Sequence, residues 1–143
     1  MSEINKAAVR RFFDEIWSKG NMGVADELVG KPGAGPAEPP IMYPERIKQI
    51  VTRMRTAFPD IKYTVQEMVA EDDRVMAFWT AQGTHKGEFM GVAPTGKLVN
   101  YRGFDLYKLS GGRLVERYGG FNDNLMLLQQ LGAVTPPAQA RPF

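Results

Sequence analysis

At 143 residues, with 43% hydrophobic and 24% charged side chains, the chain has the size and composition of one globular domain, long enough to bury a core without covalent staples. It has no cysteine, which excludes a disulfide framework, a thiol nucleophile and a cysteine-ligated metal. Its one histidine, His85, excludes a multi-histidine metal site, and a net charge of +2 without any dense Lys/Arg block argues against a nucleic-acid partner.

The first element reads as a helix. Val9, Phe12, Phe13, Ile16 and Trp17 follow the i, i+3, i+4, i+7, i+8 spacing of one buried face, with Arg10, Arg11, Asp14 and Glu15 on the other. Ser2 is a candidate cap and Gly20 a stop. A short second helix is expected from Met22 to Leu28, capped by Asn21. Residues 30–40, GKPGAGPAEPP, have no apolar period and read as a flexible Gly/Pro loop. A third helix starts near Pro44, buries Ile47, Ile50, Val51, Met54 and Phe58, and stops at Pro59.

The period then changes. Ile61, Tyr63 and Val65 alternate with polar residues, residues 74–85 and 97–109 are rich in strand formers, and Ser110-Gly111-Gly112 predicts a tight hairpin into a last strand over 113–121. A short helix is expected from Leu125 to Leu131, followed by an extended tail over 133–143. Helices segregated before an antiparallel meander give an α+β fold. The strongly curved sheet wraps the helices and leaves a hollow suited to a small molecule. The N-terminal MSEINKAAVRRFF reads as an amphipathic helix rather than a signal core. No apolar run approaches the roughly 20 residues of a membrane span. The expectation is a cytoplasmic protein with no membrane partner.

Four stretches carry a family likeness: VRRFFDEIWSKGN; FPDIKYTVQEMVAEDDRVMAFWTAQGTHKGEFMGVAPTGK, with its Phe-Pro-Asp entry, Gly-Thr-His-x-Gly and Pro-Thr-Gly turn; YRGFDLYKLSGGRLVERY; and NDNLMLLQQLG. In order and spacing they resemble the SnoaL-like polyketide cyclases of the NTF2-like superfamily. The resemblance implies a cone-shaped fold in one domain over 1–143, and a pocket with an acid/base pair and no metal, flavin or nicotinamide. In the family's cyclases an Asp just before the closing Leu-rich segment is the acid/base for an intramolecular aldol ring closure. The matching position is Asp123. The family's histidine in the Gly-x-His-x-Gly stretch matches His85. The chain departs from the pattern after its second helix. Family members carry an Asp-Phe-x-x-His-type segment there, and here GKPGAGPAEPP stands in its place without the histidine.

Each candidate has two readings. A carboxylate at the rim of an apolar hollow has its charged form disfavoured, which suits Asp123 to proton transfer beside a carbonyl. Directly before a helix, Asp is also a favoured cap. His85 shuttles a proton or bonds a substrate oxygen, or is an inert strand-end residue. Limonene epoxide hydrolase-like enzymes, on the same fold, use an Arg with an Asp at i+2. Here Arg102 is followed at i+2 by Phe104, which argues against that reaction, and Arg102 either lines the pocket or is solvated. Asp105 is a second buried carboxylate if inward. The preferred expectation is an outward residue paired with Lys or Arg on a neighbouring strand. Pocket walls are sought in Phe13, Trp17, Tyr43 and Met54 from the helical half. The strand half offers Trp79, Tyr101 and Phe121, with Phe58 between.

Val75, Ala77, Trp79 and Ala81 share one face of their strand, and Met76 and Phe78 the other. Both faces are apolar, so the pattern does not say which meets the hollow. The surplus apolar face predicts a homodimer packed sheet to sheet. The leading expectation is a cofactor-independent cyclase acting on a hydrophobic polyketide-like molecule. The alternatives are an isomerase, hydrolase or hydroxylation-partner enzyme on the same fold, using Asp105, or a non-catalytic binder of a hydrophobic ligand.

Overall fold

The computed structural model describes residues 2–134. The tail expected over 133–143 lies outside the described residues from position 135 onward. Helix α1 (Ser2–Arg11) runs without a break into a π-helical turn over Phe12–Ser18. The expected straight α-helix thus widens where its aromatic residues fall. The i→i+5 turn lets Phe12, Phe13 and Ile16 all bury. The carbonyls left at its end are taken up by Arg55, whose guanidinium donates to Trp17 O at 3.2 Å and Ser18 O at 2.5 Å. Ser18 fastens this end to the sheet, its Oγ accepting from Tyr63 N–H at 2.8 Å and donating to Tyr63 O at 3.2 Å.

Helix α2 (Gly23–Leu28) has no side-chain cap. Asn21, the expected cap, instead donates its side-chain amide to Glu15 Oε2 at 3.4 Å, because Met22 already has helical backbone angles and occupies the cap position. Helix α3 (Pro44–Ala57) has proline in its first turn and buries Ile47 and Val51, as its spacing requires.

Strands β1 (Lys62–Glu71), β2 (Arg74–Thr84), β3 (Leu98–Ser110) and β4 (Arg113–Asn122) form one antiparallel meander in the order β1-β2-β3-β4. Gly111-Gly112 closes β3 onto β4 with Ser110 paired to Arg113, the hairpin read from the sequence. The outer edge of β4 is covered. The 29–42 segment runs along β4, with Gly30 N–H donating to Leu114 O, Met42 N–H to Val115 O and Arg117 N–H to Pro40 O. That covers a sheet edge otherwise open to unwanted pairing. Arg113 holds the start of this segment by donating to the carbonyls of Asp26, Glu27, Val29 and Gly30.

β4 pairs with β3 only from Gly103 onward. Helix α4 (Asn124–Gln130) takes over beside the rest of β3, where the Gln130 amide brackets the backbone N–H and C=O of Asn100 and Leu127 is buried. The sheet face packed on the helices is that of Val75, Ala77, Trp79 and Ala81, all at most 3% exposed, while Met76 and Phe78 look outward. This fixes the orientation that the two-sided apolar pattern of β2 left open.

Candidate functional site

The inward face carries a polar cluster among aromatic rings. Asp105, 5% exposed, is inward and paired with an arginine of the neighbouring strand. This corrects the outward expectation: the period-2 alternation of β3 puts Asp105 on the face of Tyr101 and Tyr107, which the helices bury. Its Oδ1 accepts from Arg117 Nε at 3.1 Å and an Arg117 terminal nitrogen at 2.6 Å, and its Oδ2 from Trp79 Nε1 at 3.0 Å and Tyr107 OH at 3.1 Å. Two glycines make the arrangement possible. A Cβ on Gly103 would meet the Trp79 ring, and a Cβ on Gly120 would meet Asp105 Oδ1. Burial of Arg117 works against its charge, but the Asp105 carboxylate outweighs that and raises its pKa further.

Beside this cluster, the hydroxyls of Tyr63 and Tyr101 are 3.0 Å apart, and both rings stand edge-on to Trp79. Burial pushes both phenols above their ordinary pKa, so they are neutral hydroxyls at physiological pH. Phe13 and Trp17, expected as pocket wall, pack from the π-turn against Tyr63. Tyr63, Tyr107 and Arg117 were not among the sequence candidates. Tyr107 is legible at i+2 from Asp105, but Tyr63 and Arg117 join the cluster only through strand pairing, which one sequence does not display.

His85 continues the inward series of β2 and is fully buried. Its ring lies 5.4 Å from that of Phe58, which in turn meets Phe89 at 5.3 Å. Met54 is half-buried against the same core. Tyr43 is half-buried at the cap position of α3.

Asp123 stands at the corner where β4 gives way to α4. It is the N-cap of α4, its Oδ1 accepting from Met126 N–H at 3.1 Å. Its Oδ2 faces Arg102 Nε at 3.8 Å, a charge contact too long for a hydrogen bond. Its side chain is 18% exposed. The preceding residue, Asn122, pairs with Gly103 and so falls on the inward side, whereas Arg102 and Phe121 lie outward, Phe121 at 5.6 Å from Phe104. The candidates therefore fall into three places: the aromatic interior around Asp105, the His85–Phe58 end, and the Asp123–Arg102 corner.

Two open grooves mark the outward face. One of about 510 Å³ is lined by Lys62, Thr64, Thr80, Gln82, Asn100 and Arg102, with Met126 beside it. The other, of about 320 Å³, lies among Phe78, Arg102, Phe104 and Phe121. Among the described residues no three His, Asp or Glu side chains converge to hold a metal ion, and no helix is long and apolar enough to cross a membrane.

Comparison with known proteins adds a family and a fold. A family model described as SnoaL-like polyketide cyclase matches residues 7–131. No curated protein matches the chain. Among solved structures it is similar to IdmH of Streptomyces antibioticus, described as a candidate polyketide cyclase, at 30% identity and TM-score 0.72, covering 90% of this chain and 98% of that one. It is similar to a candidate polyketide cyclase of Acidithiobacillus ferrooxidans at 29% identity and TM-score 0.76, covering 92% and 96%. AclR of Streptomyces galilaeus, described as a candidate hydroxylase, shares the fold at 24% identity and TM-score 0.78, covering 97% and 87%.

Proposed function

The chain belongs to the SnoaL-like polyketide cyclase family, and from that premise we propose that it closes a ring in a polyketide-type molecule by an intramolecular aldol reaction, with Asp123 as the proton-transfer group. Such a closure removes an α-proton, joins the enolate carbon to a carbonyl carbon and returns a proton to the resulting alkoxide. Atoms balance without net redox change, so the chemistry asks for acid/base groups and positioning, not for a cofactor. The aromatic interior would fold the apolar part of the substrate, and His85 would act at one of its oxygens.

One observation carries the choice between the two carboxylates. Asp105 has both oxygens committed to four donors, which favours a fixed anion and opposes a base. Asp123 has one oxygen held by the helix cap and the other without a hydrogen bond. A cap that orients a carboxylate while leaving one oxygen without a hydrogen bond, beside the longer Arg102 contact, serves proton transfer as well as stability. The reading includes a cytoplasmic homodimer formed through the outward sheet face.

The test compares Asp123→Asn with wild type on a panel of poly-β-keto esters. Asn remains a good cap, so the fold should hold, while turnover should drop by about 10²–10⁴. Full activity of Asp123→Asn, with loss in Asp105→Asn at unchanged stability, would replace this reading by the isomerase-type use of Asp105.

A further inference from the structure

The interior holds hydrogen-bonding capacity that the fold does not use. Among the described residues, the buried side-chain polar atoms without a partner are Trp17 Nε1 and His85 Nε2. Trp17 Nε1 can only donate. The role of His85 Nε2 is fixed by the other side of its ring. His85 Nδ1 accepts from Thr95 N–H at 3.1 Å and lies 3.0 Å from Thr95 Oγ1. Thr95 Oγ1 in turn accepts from Lys97 N–H at 3.3 Å, leaving its hydroxyl hydrogen for Nδ1. A nitrogen receiving a backbone N–H carries a lone pair, so the neutral ring must bear its proton on Nε2. Both unpartnered atoms are therefore donors. A phenol pair 3.0 Å apart also spends one of its two hydroxyl hydrogens internally and keeps the other. The carboxylate oxygens of the same interior, those of Asp105, are each already held by two donors.

We infer that Trp17 and His85 are neutral hydrogen-bond donors to carbonyl-type oxygens of the bound substrate, and that His85 binds and polarises an oxygen through Nε2–H without shuttling a proton. The inference rests on the proposed reading that the interior receives the substrate. A buried donor left unpaired is costly, and a ligand acceptor removes that cost. The site thus selects against ligands that bring bare hydrocarbon to these positions. For His85 to act as a base, Nδ1 would have to lose its two donors, or Nε2 its proton.

The single histidine makes the test clean. Protein labelled with ¹⁵N-histidine gives the tautomer from long-range ¹⁵N–¹H correlation. Anthraquinone-2-sulfonate and anthracene-2-sulfonate, which differ by two carbonyls, serve as probes. The free protein should show the Nε2–H tautomer at pH 7. The quinone should bind about tenfold or more tighter than the hydrocarbon and move the Nε2–H signal, which the hydrocarbon leaves in place. Trp17→Phe should lower the quinone's preference about fivefold, with hydrocarbon affinity unchanged. An Nδ1–H tautomer or an imidazolium in the free protein overturns the inference directly. So does equal binding of both probes with a still His85 signal, which leaves the proposed function untouched. Binding of neither probe overturns the reading that the interior receives the substrate, and the inference with it.

Discussion

A buried carboxylate must be neutralised or matched, and Asp105 is matched. Arg117 supplies charge and two bonds, and Trp79 and Tyr107 supply the other two. Loss of one member leaves the rest uncompensated, which costs more than the pair is worth. Asp105→Ala should therefore destabilise the protein by about 3–5 kcal/mol, because Arg117 becomes an unpaired, partly buried cation. Adding Arg117→Met removes that cation and should restore part of the loss. Urea unfolding of both single variants and the double one measures the coupling. Strictly additive losses would mean that the two residues do not act as a pair. The same residue marks a limit of sequence reading. Phe104-Asp105-Leu106 is apolar on both sides, so its neighbours do not tell inward from outward, and the decisive partner lies on another strand.

Between elements, short polar contacts decide where strands begin and end. Asp60 precedes β1 and takes two bonds from Thr84 at the end of β2, from its N–H at 2.7 Å and its hydroxyl at 2.7 Å. The bond from the Thr84 backbone N–H, then that from its hydroxyl, lowers the Asp60 pKa. A folded pKa below the unfolded value of about 3.9 means a stabilisation present above that value and lost as pH falls through the folded one. Asp60→Asn should thus unfold more readily than wild type at pH 7, with the gap closing below about pH 4. Denaturant melts from pH 7 to pH 3 read this out, and a gap constant across the range would dismiss the linkage. Helix and strand identities were legible from period and from Gly/Pro stops, to within a few residues. The π-turn was not, because Phe12, Phe13, Ile16 and Trp17 satisfy an ordinary helical face equally well. Asn21, a favoured cap by type, leaves α2 uncapped because it has a nearer use in Glu15. The 30–40 loop read correctly as irregular, but nothing in its Gly and Pro content announces that its ends pair along β4.

For the whole molecule, the question is what the outward face of the sheet is for. Its inward face packs on the helices, yet Met76, Phe78, Phe104, Phe121 and Tyr118 are between 37% and 47% exposed. Phe78, Phe104 and Phe121 lie side by side across β2, β3 and β4, as the pairing of Phe78 with Phe104 and of Phe104 with Phe121 requires. Scattered apolar residues on a surface need no explanation, but a contiguous aromatic strip does. A two-fold axis through the strip would set it against its own copy, with the polar groove of Lys62, Gln82 and Asn100 toward the rim. The catalytic reading does not require this dimer, since its residues come from one chain. Sedimentation should nonetheless give twice the 16.0 kDa of the chain. Phe104→Lys, which places a charge at the centre of the strip, should shift the protein to monomer while its thermal unfolding remains cooperative. The substitution points away from the helix-packed core, so a folded monomer is the expected product. A wild-type chain that sediments as a monomer at micromolar concentration would leave the strip without a partner and return the two outward grooves to consideration as ligand surface.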